Sequence, residues 1–266
     1  MSGEVVGVFD SGLGGLTVLR SLIDLIPEAP VLYFGDTGRF PYGPKPPDEV
    51  LKYALQIADL LVERGAQLLV VACNSAAAAA LDRLQETLDV PVVGVIEPGL
   101  RAAARATRNG RVGVIGTVGT ISSGAYQRAA RRSGAPIELT CAACPGFVEF
   151  VEAGDVASDQ IHVLAERLLA PVREAGVDTL VLGCTHYPLL ARTIGDVMGR
   201  DVVLVSSADE TAFAIRELLG PAEEIRVGAA PPSHTFLTSG DVATFRTLGA
   251  RFLGPEVVEV EAWPWS

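Results

Sequence analysis

Twice in this chain an unbroken apolar, largely β-branched run stops at a cysteine, and two polar residues then open a helical pattern. The first run is Leu68-Leu-Val-Val-Ala72-Cys73-Asn74-Ser75, followed by alanines. The second is Leu180-Val-Leu-Gly183-Cys184-Thr185-His186-Tyr187-Pro188-Leu189-Leu190. Runs without polar alternation need cover on both faces, which points to parallel strands layered between helices. Sheets of that kind bind ligands outside the carboxyl ends of their strands. Each cysteine thus stands where a parallel α/β fold concentrates its chemistry.

The rest of the chain keeps the same rhythm. Glu4–Phe9 reads as a buried strand that runs into Asp10-Ser11-Gly12-Leu13-Gly14-Gly15, and Leu16–Ile26 has helical spacing. A glycine-rich turn before a helix can hold an anion, although this one lacks the dinucleotide fingerprint. Val31–Phe34 is a short strand before a stiff loop containing Pro41-Tyr42-Gly43-Pro44, and Asp48–Arg64 is an amphipathic helix. Gln67–Ala72 leads to Cys73, a helix follows to about Leu88, and Pro91–Ile96 is a further strand before Glu97-Pro98-Gly99.

The pattern then restarts. Val112-Gly-Val-Ile-Gly116-Thr117 echoes Val6-Gly-Val-Phe-Asp10-Ser11, and Cys184 echoes Cys73 at nearly the same offset. Two features in the same order suggest two related α/β halves. In the second half a helix is expected over Ser122–Arg132 and a strand over Ile137–Cys141. A helix is expected over Ser158–Glu174, then a strand over Asp178–Leu182 and a helix over Leu189–Met198. Asp201–Val205 and Ser207–Leu219 add a strand and a helix. Pro221–Ser233 is weakly periodic, while His234–Thr238, a helix from about Asp241 and Glu256–Glu261 could extend either half. The expected fold is α/β, with two parallel-sheet domains of flavodoxin-like or Rossmann-like type.

Charge and composition narrow the function. Lys+Arg of 21 against Asp+Glu of 32 leaves a net charge of −11 and no basic run, so nucleic acid is not expected as the main partner. No window approaches the roughly 18 apolar residues of a membrane span, and none is expected. The opening Met-Ser-Gly-Glu lacks the features of a secretion signal. Four cysteines in 266 residues do not make a disulfide framework, so a cytoplasmic chain with free thiols is expected.

A helix N-terminus stabilises a thiolate, so both strand-tip cysteines are expected below the ordinary pKa of about 8.5. Each has a possible acid–base neighbour, Asp10 for Cys73 and His186 for Cys184. Cys141-Ala-Ala-Cys144 has C-x-x-C spacing but no second ligand pair, and reads as structural, as do His162 and His234. Glu149 and Glu152 are spaced i,i+3 and could share one helix face. A G-x-S-x-G elbow and a Walker loop are both missing, and Lys45 and Lys52 are the only candidates for a Schiff base. A Cys–His hydrolase could use one cysteine but would leave the other without a role, and a non-catalytic binding protein would need neither. Two opposed thiols suit one reaction well. One thiolate removes a proton from carbon, and the other thiol returns a proton to the opposite face.

With these residues assembled, the chain resembles the glutamate racemases of the cofactor-independent aspartate/glutamate racemase family, from about Val6 to Leu219 and more weakly beyond. The motifs that carry the resemblance are Asp10-Ser11-Gly-x-Gly-Gly-Leu-Thr-Val, Tyr33-Phe-Gly-Asp-Thr, Pro41-Tyr42-Gly43, Ala72-Cys73-Asn74-Ser75 and Leu182-Gly-Cys184-Thr185-His186-Tyr-Pro-Leu-Leu. The resemblance implies that Cys73 acts on D-glutamate and Cys184 on L-glutamate, assisted by Asp10 and His186, with Glu152 near the site. It implies substrate contacts from Asp10, Ser11, Tyr42, Gly43, Asn74, Ser75, Thr185 and His186, with Thr117 and Thr120 as further donors. Ser75 stands where many relatives have threonine, and the hydroxyl is kept. No cofactor or metal is expected.

The resemblance also implies two similar domains with the active site between them, residues 1–97 plus 208–266 and residues 98–207. A cytoplasmic homodimer that supplies D-glutamate for peptidoglycan is the expectation. Action on aspartate or another amino acid stays open, because substrate choice depends on pocket length. These motifs contain no Arg or Lys, so backbone N–H groups, hydroxyls and helix N-termini are expected to hold both substrate carboxylates.

Overall fold

The computed structural model describes residues 5–220, 234–257 and 259–265. Among these described residues ten strands are formed: β1 (Val5–Asp10), β2 (Val31–Gly35), β3 (Ala66–Val71), β4 (Val92–Gly94), β5 (Arg111–Gly116), β6 (Glu138–Ala143), β7 (Thr179–Gly183), β8 (Val203–Ser206), β9 (Thr235–Thr238) and β10 (Val260–Ala262). They form two sheets, β10-β9-β2-β1-β3-β4 and β6-β5-β7-β8, and every pairing is parallel. The chain divides into two compact units, Met1–Val95 with Ala208–Ser266, and Ile96–Ser207. Among the described residues no helix is long and apolar enough to cross a membrane.

The two units repeat one topology. Strands β2-β1-β3-β4 of the first correspond in order to β6-β5-β7-β8 of the second. In both, the chain moves from the first strand to one side, then crosses over it to the other. Right-handed crossovers then send the first connecting helix to one face and the next two to the opposite face. The packing follows that rule. In the first unit the helices Leu16–Leu25, Ala208–Leu219 and Val242–Phe252 pack together, while Pro47–Glu63 packs on Asn74–Thr87. In the second, Ile96–Ala106 packs on Ala125–Ser133, and Asp159–Glu174 packs on Ala191–Met198. Covered on both faces, the central strands need no polar side, which is why β1, β2, β3, β5 and β7 are buried almost throughout.

Three expectations need correction. The strand expected to end at Ile96 covers only Val92–Gly94, and a helix not foreseen runs over Ile96–Ala106. Pro98 sits in its first turn, where a missing N–H costs no intrahelical bond. The helix expected over Ser122–Arg132 is found at Ala125–Ser133, and a short helix that was not expected, Val118–Ser122, precedes it. Gly124 separates them at φ +68°, a left-handed conformation that side-chain-bearing residues rarely adopt. Leu189–Met198, expected as one helix, is a 3-10 turn at Tyr187–Leu190 before Ala191–Met198. The last strands join the first unit, at the outer side of β2. Pro221–Ser233 lies outside the described residues.

Candidate active site

In a sheet ordered 2-1-3-4, the connections diverge between the first and third strands, which leaves an open crevice at their carboxyl ends. In the first unit those tips carry Asp10-Ser11 and Cys73. The register pairs Phe9 with Val71, and the Ala72 N–H donates to the Phe9 carbonyl at 2.9 Å, so the tips lie side by side. Cys73 caps the helix Asn74–Thr87, and its Sγ accepts from the Ala76 N–H at 3.5 Å. The same thiol lies 3.6 Å from Ser11 Oγ. Asp10 is fully buried, and its Oδ1 accepts from the Gly12 N–H at 2.8 Å. Gly15 is where the turn must come closest: a Cβ there would lie 2.6 Å from Asp10 Cβ and 3.0 Å from Ala72 Cβ. Asn74 and Ser75, the first helical residues, are buried at the same tip.

The electrostatics of Cys73 reverse the sequence-based expectation. Burial, reinforced by the negative charge of Asp10, pushes its thiol up to about 12, against the opposing pull of the Ala76 N–H and Ser11. Desolvation outweighs the helix N-terminus here because the sulfur is buried and the charge of Asp10 acts in the same direction as burial. At about 12 the Cys73 thiol keeps its proton at neutral pH, with the carboxylate of Asp10 acting on it.

Tyr42 enters the same site from the loop after β2. Its ring is buried 5.7 Å from that of Tyr53, and its hydroxyl donates to Asp36. Burial first, then Asp36, raise the phenol far above its ordinary value, and Cys73 is near enough to add to the effect. Gly43 follows it, half-buried in the turn.

The second unit builds the equivalent crevice from β5 and β7, whose last residues Gly116 and Gly183 are in register. A Cβ at Gly183 would lie 2.6 Å from the Ile115 carbonyl oxygen, so only glycine permits this approach. Thr117 caps the helix Val118–Ser122, accepting from the Thr120 N–H, and its Oγ1 is 3.0 Å from Thr120 Oγ1. Beyond β7, Cys184, Thr185 and His186 are all buried. Cys184 Sγ is 4.0 Å from His186 Nδ1, and His186 Nε2 is 2.6 Å from Glu152 Oε1. The result is a thiol–imidazole–carboxylate chain. Glu152 reaches it from the end of the helix Phe147–Glu152. That helix is held by Phe147, packed edge-on against Tyr187 at 5.3 Å, while Tyr187 donates to the Cys144 carbonyl at 3.1 Å. Glu149, three residues earlier, is exposed and does not share the role that the i,i+3 spacing allowed it.

Each unit thus gathers its own share of the predicted residues, Asp10, Ser11, Tyr42, Gly43, Cys73, Asn74 and Ser75 in the first, and Thr117, Thr120, Glu152, Cys184, Thr185 and His186 in the second. All four cysteines are free. Cys141 lies within β6 and Cys144 just after it, and burial pushes their thiols up to about 11 and about 12. His162 sits on a helix surface 3.8 Å from Glu166. Asp36 and Arg39 are not among the residues expected at the site. The only sequence signal for Asp36 was its place at the tip of β2, in the Tyr33-Phe-Gly-Asp-Thr run.

Residues 15–214 match the family model described as Asp/Glu/Hydantoin racemase. The chain is 51% identical over 260 residues to a glutamate racemase of Geobacter metallireducens, covering 98% of this chain and 96% of that protein. The crystal structure of a glutamate racemase isoform from Bacillus anthracis superimposes with a TM-score of 0.91 at 40% identity, covering 100% of this chain and 98% of that one. The glutamate racemase of Francisella tularensis, solved in complex with D-glutamate, matches with a TM-score of 0.91 at 31% identity, covering 99% and 98%.

Proposed function

This chain belongs to the Asp/Glu/hydantoin racemase family, and on that premise we propose that it is a glutamate racemase that inverts the α-carbon with two cysteines and no cofactor. The observation that carries the reading is the paired construction of the strand tips. One thiol sits with a carboxylate, Cys73 with Asp10, and the other with an imidazole, Cys184 with His186 and Glu152. Near-full-length relatives bearing the name glutamate racemase support the substrate.

The steps follow from the chemistry of each group. With L-glutamate, the Cys184 thiolate removes the α-proton and the Cys73 thiol delivers a proton to the opposite face. With D-glutamate the roles exchange. His186, anchored by Glu152, accepts the Cys184 proton to make the thiolate, and Asp10 does the same for Cys73. The high pKa of Cys73 keeps its proton in place for delivery and makes its thiolate a strong base; passing that proton to Asp10 is uphill, but it removes the negative charge that opposes the thiolate. Helix N-termini and hydroxyls at the two tips hold the substrate carboxylates and stabilise the charge that develops on the carbanion. In this reading the protein works as a cytoplasmic homodimer and supplies D-glutamate for peptidoglycan.

The test is incubation with L-glutamate in heavy water without added cofactor, following optical rotation and the α-proton signal. Racemisation with loss of that signal, and aspartate unreactive, is the expected result. Reaction with aspartate alone would keep the mechanism and move the substrate. Enantiomers have equal free energy, so Cys73→Ser and Cys184→Ser should each lower kcat/KM equally in both directions, by roughly 10²-fold or more. Near-full turnover in either variant would sink the two-thiol scheme.

A further inference from the structure

Asp36 is a buried carboxylate at the end of β2 that no step above uses. Each of its oxygens takes two side-chain donors. Oδ2 accepts from Arg39 Nε at 2.7 Å and from the Tyr42 hydroxyl. Oδ1 accepts from Ser239 Oγ at 2.6 Å and from Trp265 Nε1 at 2.9 Å. The first pair belongs to the loop that carries Tyr42 and Gly43. The second pair comes from the far end of the sequence.

The same far segments grip the loop at other points. Thr37 Oγ1 meets Thr238 Oγ1 at 2.7 Å, and the Gly38 N–H donates to Ser239 Oγ at 2.9 Å. The Trp263 N–H donates to the Thr238 carbonyl at 2.7 Å, which draws residues 263–265 alongside. The Arg39 guanidinium lies between two rings, 4.0 Å from Tyr53 and 4.1 Å from Trp265, and Trp265 packs on Phe34 at 5.4 Å. A desolvated carboxylate is tolerable only when its donors are complete, and losing one donor leaves the remainder of the charge under-solvated. The loop therefore depends on a group more than two hundred residues away.

We propose that Trp265 is a positioning residue for the Tyr42–Gly43 loop: its indole N–H completes the donor shell of Asp36, and its ring holds Arg39, so the segment 263–265 fixes the loop beside Cys73. The consequence for turnover rests on the glutamate reading above; the fixing of the loop does not.

Trp265→Ala and Trp265→Phe separate the two contributions, since phenylalanine keeps a ring over Arg39 but has no donor. Hydrogen–deuterium exchange should show the amides of residues 36–43 exchanging about tenfold faster in Trp265→Ala, with β1 and β3 unchanged. Trp265→Phe should fall between that variant and the parent. KM for glutamate should rise roughly three- to tenfold in Trp265→Ala while kcat stays within about twofold, because the loop binds substrate and does not carry the reacting thiol. Unchanged protection of residues 36–43 would overturn the proposal. So would a loosened loop with an unchanged KM, which is what a merely structural tryptophan would give. If the parent protein does not exchange the α-proton of glutamate, the glutamate reading fails, and the exchange of residues 36–43 alone still decides whether Trp265 fixes the loop.

Discussion

Cys73 illustrates how one side chain's behaviour is set by competition between neighbours. A helix N-terminus favours its thiolate, but burial and Asp10 oppose it and prevail. Asp10→Asn removes the anion and keeps the shape. The Cys73 pKa should therefore fall from about 12, and remain above the ordinary thiol value because burial is the larger cause. An ultraviolet titration of thiolate absorbance would check this. The same variant should lose turnover in both directions equally, since it removes the group that takes the Cys73 proton. A variant with a lower thiol pKa and unchanged kcat/KM would mean that Asp10 only perturbs the cysteine and does not serve it. The positions of Asp10, Ser11, Cys73, Cys184 and His186 at strand tips were legible in the sequence, because an apolar run and a polar stop are local signals. The direction of the Cys73 shift was not, because it depends on how much of the rest of the chain closes over the sulfur.

At the scale of elements, the strands were read more accurately than the helices. Among the described residues the strands lie within a few residues of expectation, since a run buried on both faces has few other uses; the exception is the last, expected over Glu256–Glu261 and found at Val260–Ala262. The helices erred where glycine and proline carried two meanings. Pro98-Gly99 reads as a break, yet in a first turn it is no obstacle. Ser123-Gly124 reads as tolerable within a helix, yet it ends one helix and starts the next. Gly124→Ala tests that reading. The space around Gly124 is open, with the nearest atom to an added Cβ at 3.6 Å, so the cost comes from the left-handed backbone alone. Urea unfolding should show a loss of about 1 kcal/mol. The helix Phe147–Glu152 owes its place to packing: Phe147 against Tyr187 carries Glu152 to His186. No periodicity in six residues could announce that.

For the molecule as a whole, the internal repeat noted in the sequence is a repeated strand order, β2-β1-β3-β4 and β6-β5-β7-β8, with a cysteine after the third strand of each. Burying those thiols also gives stability a pH dependence. Cys73 and Cys144 hold their protons to about 12 when folded, whereas an unfolded chain releases them near the ordinary value of 9.0. Between these limits the unfolded state binds fewer protons, so stability must fall as pH rises. The slope for each thiol is about tenfold in the folding equilibrium per pH unit, and it vanishes below 9. Urea unfolding across alkaline pH should show the decline, and Cys144→Ala should make it shallower; an equal slope in the variant would show that this thiol does not contribute. By itself the sequence determined which segments are buried strands, where each one stops, and which reactive groups stand at the stops, because burial and backbone period are written in adjacent residues. Strand order, the meeting of His186 with Glu152, and the gathering of Arg39, Tyr42, Ser239 and Trp265 on Asp36 were decided only in three dimensions. One apolar strand can pair with any other, and a buried charge takes its donors from wherever the folded chain brings them.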